Sequence, residues 1–373
     1  MQKSETNGLF VGVLSGTSVN GIDAALVEFA PQPRLVATHT LDYPAEVRTE
    51  LLALAVPGEN ELDRLGRADV TVGRLFAQAV TGLLAKAGKK PAEIRAVGSH
   101  GQTIRHRPGM RPPFTLQIGD PNVIAAETGI AVAADFRRKD MALGGQGAPL
   151  VPAFHEAVFR QPGRERVVVN IGGIANITIL PGAGGAVRGF DTGPGNTLMD
   201  AWCRQQRGEP MDRDGAWAAS GRVNAPLLAA LRADDYFTRP PPKSTGPEHF
   251  SLAWLQRHLD TMGKIEAADV QATLLAMTAA TIADEIEKAA RGAKEVFVCG
   301  GGARNGALMR ALAENLRDAK VAKTDELGVD ADWVEAMAFA WLARQRVNAA
   351  AGNLPATTGA SRPAVLGGLW LPG

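Results

Sequence analysis

The chain has 373 residues, 45% of them hydrophobic and 21% charged, with a formal net charge of +1. Such a balance is ordinary for a soluble globular protein and marks neither a nucleic-acid binder nor a protein of acidic membrane surfaces. Two cysteines, Cys203 and Cys299, exclude a disulfide framework or zinc-finger pattern and suit a reducing cytoplasm.

The length points to two domains. The N-terminal segment Met1–Gly8 is polar, and no apolar run reaches membrane-spanning length. A soluble cytoplasmic protein is therefore expected. Residues 9–15, 22–29 and 34–41 read as strands. Asn20-Gly21 lies between the first two and is a strong hairpin signal, because both residues tolerate positive φ. Helical spacing of Val72, Leu75, Phe76, Ala79, Val80, Leu83 and Leu84 predicts a helix over 67–87, stopped by Gly88. Strands follow at 94–98 and 114–118. A helix then starts at Asp120-Pro121 and stops at Gly129, before a strand at 130–134 and a helix at 149–160.

The order then restarts. Residues 166–171, 174–180 and 187–190 read as three strands. Helices follow from Pro194 to about 207 and over 268–291. A strand at 295–299, a helix at 306–317, a strand at 320–323 and a helix at 332–347 complete this half. Each half thus begins with three strands and continues into alternating helices and strands. The expected fold is α/β with two similar domains, 1–150 and 151–373, around an interdomain cleft. The stretch 236–250 breaks the pattern. Its Pro240-Pro-Pro-Lys-Ser-Thr-Gly-Pro247 favours an extended connection, expected on the surface in preference to a functional lid.

Gly-rich turns at strand ends recur at three distant places: Ser15-Gly-Thr-Ser-Val-Asn-Gly-Ile-Asp23, Asn170-Ile-Gly-Gly173 and Cys299-Gly-Gly-Gly302. Crowded backbone amides at such turns can cradle phosphate oxygens, so three of them suggest one nucleotide held from several sides. A Walker A loop and H-E-x-x-H are absent, and the six histidines show no metal-ligand spacing. The third turn also reads as Gly300-x-Gly302 with Asp325 beyond the next strand, which would suit NAD, but Asn305 stands where the third glycine belongs. Asp191, in Gly189-Phe-Asp-Thr-Gly-Pro-Gly-Asn196, reads as a turn or N-cap aspartate or as a general base at a strand end.

Together these segments resemble the anhydro-N-acetylmuramic acid kinases, within the actin, Hsp70 and sugar-kinase superfold. Gly98-Ser-His-Gly-Gln-Thr103, Gln117-Ile-Gly119, Ala134-Asp-Phe-Arg-Arg138, Gly144-Gly-Gln-Gly-Ala-Pro-Leu-Val-Pro152, Asp212-Arg-Asp-Gly215, Lys243-Ser-Thr-Gly246 and Glu335-Ala-Met-Ala-Phe-Ala340 extend the match over nearly the whole chain. The resemblance implies ATP and Mg²⁺. It also implies a double reaction, in which water opens a 1,6-anhydro sugar while its O6 takes the γ-phosphoryl group. The product would be N-acetylmuramate 6-phosphate, formed in cell-wall recycling. By the same resemblance Asp191 is the base and Glu335 a second carboxylate. Gly16, Thr17, Ser18, Val19, Asn20, Gly21, Ile22, Asp23, Asn170, Gly172, Gly173, Gly300, Gly301 and Gly302 grip the nucleotide. His100, Gln102, Asp135 and Arg137 are candidates for the sugar pocket, where an arginine could pair bidentately with the lactyl carboxylate. No residue is assigned as a direct metal ligand. The family's first hairpin reads Ser-x-Asp-Gly, whereas this chain has Ser18-Val-Asn20-Gly21. Asparagine keeps the turn and removes a charge that could hold hydrated Mg²⁺, with Asp23 a candidate to compensate. The resemblance suggests a homodimer acting on a small molecule, with neither nucleic acid nor membrane as partner. An NAD-dependent oxidoreductase and an actin- or Hsp70-like ATP switch stay as alternatives.

Overall fold

The computed structural model describes residues 7–373 apart from positions 17, 18, 31, 242 and 247. The chain divides into two compact units, Met1–Val158 with Trp333–Gly373, and Phe159–Asp332.

In the first unit, β1 (Gly8–Ser15), β2 (Gly21–Phe29) and β3 (Pro33–Asp42) form an antiparallel meander. β4 (Ile94–Arg107) pairs parallel with β1, and β5 (Phe114–Ile118) folds back on β4. β6 (Val132–Ala134) joins parallel to β4. The second unit repeats the scheme. β7 (Arg166–Ile171), β8 (Ile174–Leu180) and β9 (Arg188–Pro194) form the meander, and β10 (Glu295–Cys299) and β11 (Lys320–Lys323) extend it in parallel. The spatial orders β3-β2-β1-β4-β6 and β9-β8-β7-β10-β11 are the same pattern run twice. β12 (Gly368–Trp370) adds an antiparallel edge beside β6. The duplicated three-strand start read from the sequence is therefore present in both units.

Strand alternation explains how the first sheet is covered. Val11 and Val13 point to one face and join Val72, Phe76, Val80 and Leu83 of the Glu61–Ala87 helix in one core. Gly12 points to the other face. A Cβ there would stand 1.8 Å from the carbonyl oxygen of Ala336, and one on Gly98 would stand 2.0 Å from that of Phe339. The Val334–Val347 helix, with Ala336, Ala340 and Ala343 buried, lies directly on these glycines. This close approach returns the C-terminal segment to the first unit. The boundary near residue 150 expected from sequence accordingly becomes two crossings, at 158/159 and 332/333.

Several local expectations change. The expected hairpin between β1 and β2 forms through a five-residue connection, with Gly21 already in β2. Among its described residues the left-handed backbone belongs to Val19, at φ 51°. A β-branched residue there is strained. The helix expected from Pro194 begins at Thr197, because Asp191 lies within β9 and Pro194 ends that strand. The 236–250 stretch is exposed at 238–241, 244 and 248, as expected of a surface connection, but Tyr236, Lys243, Gly246 and Phe250 anchor it in the interior. No described helix is long and apolar enough to cross a membrane.

Candidate active site

In the first unit, the β1–β2 connection carries Gly16, Val19 and Asn20, with Gly21, Ile22 and Asp23 opening β2. Thr17 and Ser18 lie outside the described residues. Gly16 and Asn20 are exposed, whereas Val19 is buried. Arg48 Nε donates to the Val19 carbonyl at 3.1 Å, and the Val19 N–H donates to Gly16 O at 3.1 Å. Asp23 Oδ1 accepts from Thr40 Oγ1 at 2.8 Å. Gln102 is buried, and its Nε2 donates to the Gly16 carbonyl at 3.3 Å. The structure thus ties this expected sugar residue to the hairpin.

His100 and Arg137 form a pair. Arg137 Nη2 lies 2.8 Å and Nε 3.2 Å from His100 Nε2, while Nη1 donates to Gly147 O at 2.9 Å. A guanidinium only donates, so Nε2 must carry the lone pair and the imidazole proton sits on Nδ1. Burial, reinforced by the Arg137 charge, pushes the His100 pKa well below its usual range. The ring is therefore neutral at physiological pH. Burial also lowers Arg137, to about 10, against the opposing charges of Glu335 and Asp140. It stays a cation at neutral pH. Glu335 is an exposed residue in the first turn of the Val334–Val347 helix, whose neighbours Val334, Ala336 and Met337 are buried. Gly147 is fixed in turn by Asp140, whose Oδ2 accepts its N–H at 2.8 Å and whose Oδ1 accepts from Asn353 and Thr358.

Asp135 does not join the pair. Its Oδ1 accepts from Arg138 Nε at 2.7 Å, and it lines a cavity of about 570 Å³ with Arg138, Lys139 and Arg346.

The second unit brings two Gly-rich turns together. A Cβ on Gly300 would meet Asn170 Oδ1 at 2.4 Å, and one on Gly302 would meet Ile171 Cγ2 at 2.3 Å. These glycines are what lets the 300–302 turn close on β7. The 193–196 segment completes the cluster: Asn196 N–H donates to Gly172 O at 2.9 Å and Thr197 N–H to Gly173 O at 3.1 Å. Gly173 and Gly301 remain exposed at the loop tips, so bare backbone is offered outward.

Beside this cluster stands Asp191. β9 is the sheet edge, so the strand's outer backbone groups need partners from elsewhere. Asp191 N–H donates to Lys243 O at 3.1 Å, and its carbonyl accepts the Tyr236 hydroxyl at 2.7 Å. Its Oδ2 accepts the Thr245 N–H at 3.0 Å. Burial raises the carboxyl to about 7, and the Thr245 N–H works against that rise. Elevation by desolvation places the proton affinity where a general base operates at neutral pH. The sequence flagged the 243–246 motif but not that its backbone clasps Asp191.

The sequence profile of the anhydro-N-acetylmuramic acid kinases matches residues 8–372. The chain belongs to this kinase family. A relative from Shewanella sp. (strain MR-7), bearing the family's name, is 56% identical over 360 residues, covering 96% of this chain and 97% of its own. Another, from Shewanella halifaxensis, is 54% identical over 363 residues, covering 97% and 98%. A solved ROK-family glucokinase from Streptomyces griseus aligns over 91% of this chain and 100% of its own, with 15% identity and a TM-score of 0.40.

As a carbohydrate kinase the chain uses ATP as its phosphoryl donor, and the third glycine turn lacks the features of a dinucleotide site. A dinucleotide turn would leave the N-terminus of the next helix open for pyrophosphate. Here Asn305 Oδ1 caps the Gly306–Asn315 helix by accepting the Leu308 N–H at 3.0 Å. Asp325 is engaged in its own loop, where Oδ2 accepts the Ala331 N–H at 3.2 Å. The NAD reading therefore loses both its phosphate site and its ribose acid.

Proposed function

We propose that the chain hydrolyses the 1,6-anhydro bond of 1,6-anhydro-N-acetylmuramic acid and phosphorylates O6, with Asp191 as the general base. The observation that carries the assignment is the Asp191 carboxyl, half-buried at the sheet edge, raised to about 7 and held by the Thr245 backbone N–H. Water gives its proton to Asp191 as its oxygen bonds to C1. The C1–O6 bond breaks, and O6 bonds to the γ-phosphorus as the bond to the bridging oxygen of ADP breaks. Every bond formed is matched by one broken, and the products are N-acetylmuramate 6-phosphate and ADP.

Glu335 is assigned as a second carboxylate orienting water or sugar. Arg137, with two N–H groups beyond those given to His100 and Gly147, would pair with the lactyl carboxylate, and neutral His100 holds its fork in place. Exposed backbone at Gly16, Gly173 and Gly301 would meet phosphate oxygens. Mg²⁺ would neutralise charge on the phosphates during transfer. The exposed Asn20 amide and the Asp23 carboxylate fit such an ion, since Mg²⁺ takes few protein ligands and keeps waters and phosphate oxygens. A reducing cytoplasm is the proposed location, in keeping with the buried thiols Cys203 and Cys299.

Thermal melting and ADP release test the reading together. ATP should raise the melting temperature and NAD should not, and ADP should form only when the anhydro sugar is present. Sugar-independent ATP turnover would favour an ATP switch instead.

Asn20→Asp should lower the Mg²⁺ concentration for half-maximal activity by roughly threefold, the scale of an exposed charge interaction. A Mg²⁺ titration unchanged between parent and variant would make Asn20 a turn residue only.

A further inference from the structure

We propose that Lys243 is a positioning residue for Asp191, its buried ammonium anchoring the short segment whose backbone grips that aspartate. The inference rests on Asp191 being the base. The Lys243 side chain is only 3% exposed and its Nζ lies 3.3 Å from Glu285 Oε1, itself in the buried part of the Ala267–Ala289 helix. The same ammonium stands 5.0 Å from the centroid of the Tyr236 ring. Burying a lysine is costly unless its charge is matched, so the 243–245 segment has one strongly preferred seat. From that seat Lys243 O takes the Asp191 N–H and Thr245 N–H reaches the carboxylate. Tyr236, under the ammonium, donates its hydroxyl to the Asp191 carbonyl. One side chain thus reaches three contacts on the aspartate.

The charged and titratable groups of the second unit around this segment are of both signs. Lys243 is the buried cation, Glu285 is its partner, Lys288 holds Glu285 from the solvent side at 2.9 Å, and Tyr236 and Arg239 come from the adjoining turn. Lys243→Met removes the anchor but leaves Glu285 paired with Lys288. The slackened Thr245 N–H disfavours ionised Asp191, so its pKa rises. A base must be ionised to act. The acid limb of the turnover–pH profile should therefore move up by about one unit, with a roughly fivefold loss at pH 7 that is recovered near pH 9. The KM for ATP should stay unchanged.

A purely structural role would lower turnover at every pH without moving the limb, and that result overturns the proposal. If Lys243→Met does not fold, Thr245→Pro deletes the donated N–H directly and should shift the limb the same way; an unmoved limb there is equally contrary. Asp191→Asn separates the two readings. If it keeps parental turnover, the base assignment fails and this inference with it. If it is inactive while Lys243→Met leaves the limb in place, only the positioning role fails.

Discussion

Asp191→Asn should cut turnover by about 10²–10⁴, the usual contribution of a general base, while ATP still protects the protein against melting. The amide keeps an oxygen for the Thr245 N–H and leaves the backbone bonds to Lys243 and Tyr236 intact. It cannot take a proton from water. Parental turnover should rise with pH as Asp191 ionises around 7, and the residual activity of the variant should lack that limb. Stability gives an independent sign. The folded carboxyl binds its proton more tightly than the unfolded one, so ionising it destabilises the parent as pH rises from about 4 to about 7. The variant lacks that loss. Its melting temperature should match the parent near pH 4 and exceed it above pH 7. Glu335→Gln should reduce turnover less, because an exposed orienting carboxylate contributes less than a proton acceptor. Parental turnover in Asp191→Asn would remove the base assignment, and loss of folding would make Asp191 a structural turn residue.

Gly12→Ala should destabilise the protein by about 3 kcal/mol or more, a large effect for one methyl group. The added carbon would stand 1.8 Å from Ala336 O and 2.6 Å from Ala340 N, both backbone atoms that no rotamer change can move. Relief requires the Val334–Val347 helix to lift from the sheet. Glu335 rides on the first turn of that helix, so activity should fall along with stability. Thermal or urea unfolding measures the first effect and sugar-dependent ADP release the second. An unchanged melting temperature would contradict the close helix–sheet approach.

The contrast between Gly12 and Asp120 shows which features the sequence carries openly. Asp120-Pro121 and Gly129 bound their helix as expected: the Asp120 carboxylate accepts the Asn122 N–H and Gly129 closes the end at φ 69°. Residues 114–118, 295–299 and 320–323 are strands with the expected limits, since local β-propensity and flanking turns decide short strands. Nothing near Gly12 announces that a helix more than 300 residues later will press on it. Hence the return of the C-terminal segment was invisible to a reading along the chain.

The site divides the same way. The turns at Gly173, Gly300 and Gly302 were legible because close approach by neighbouring atoms demands glycine there. The clasp on Asp191 was not. Pro240 and Pro241 announced an extended segment, but the burial of Lys243 depends on Glu285, supplied by a distant helix. The setting of Asp135 was hidden for a related reason. It adjoins Phe136 and Arg137 in sequence, yet its backbone is left-handed at φ 58° and its carboxylate turns to Arg138.

The most direct measurement is product analysis of the wild-type chain with ATP and 1,6-anhydro-N-acetylmuramic acid, by mass spectrometry and ³¹P NMR. Coupled ring opening and transfer predicts one ADP for each sugar, and a sugar that has gained both a water and a phosphoryl group, with phosphorus on O6. ADP formed with the anhydro ring intact, or with phosphorus at another hydroxyl, would contradict it.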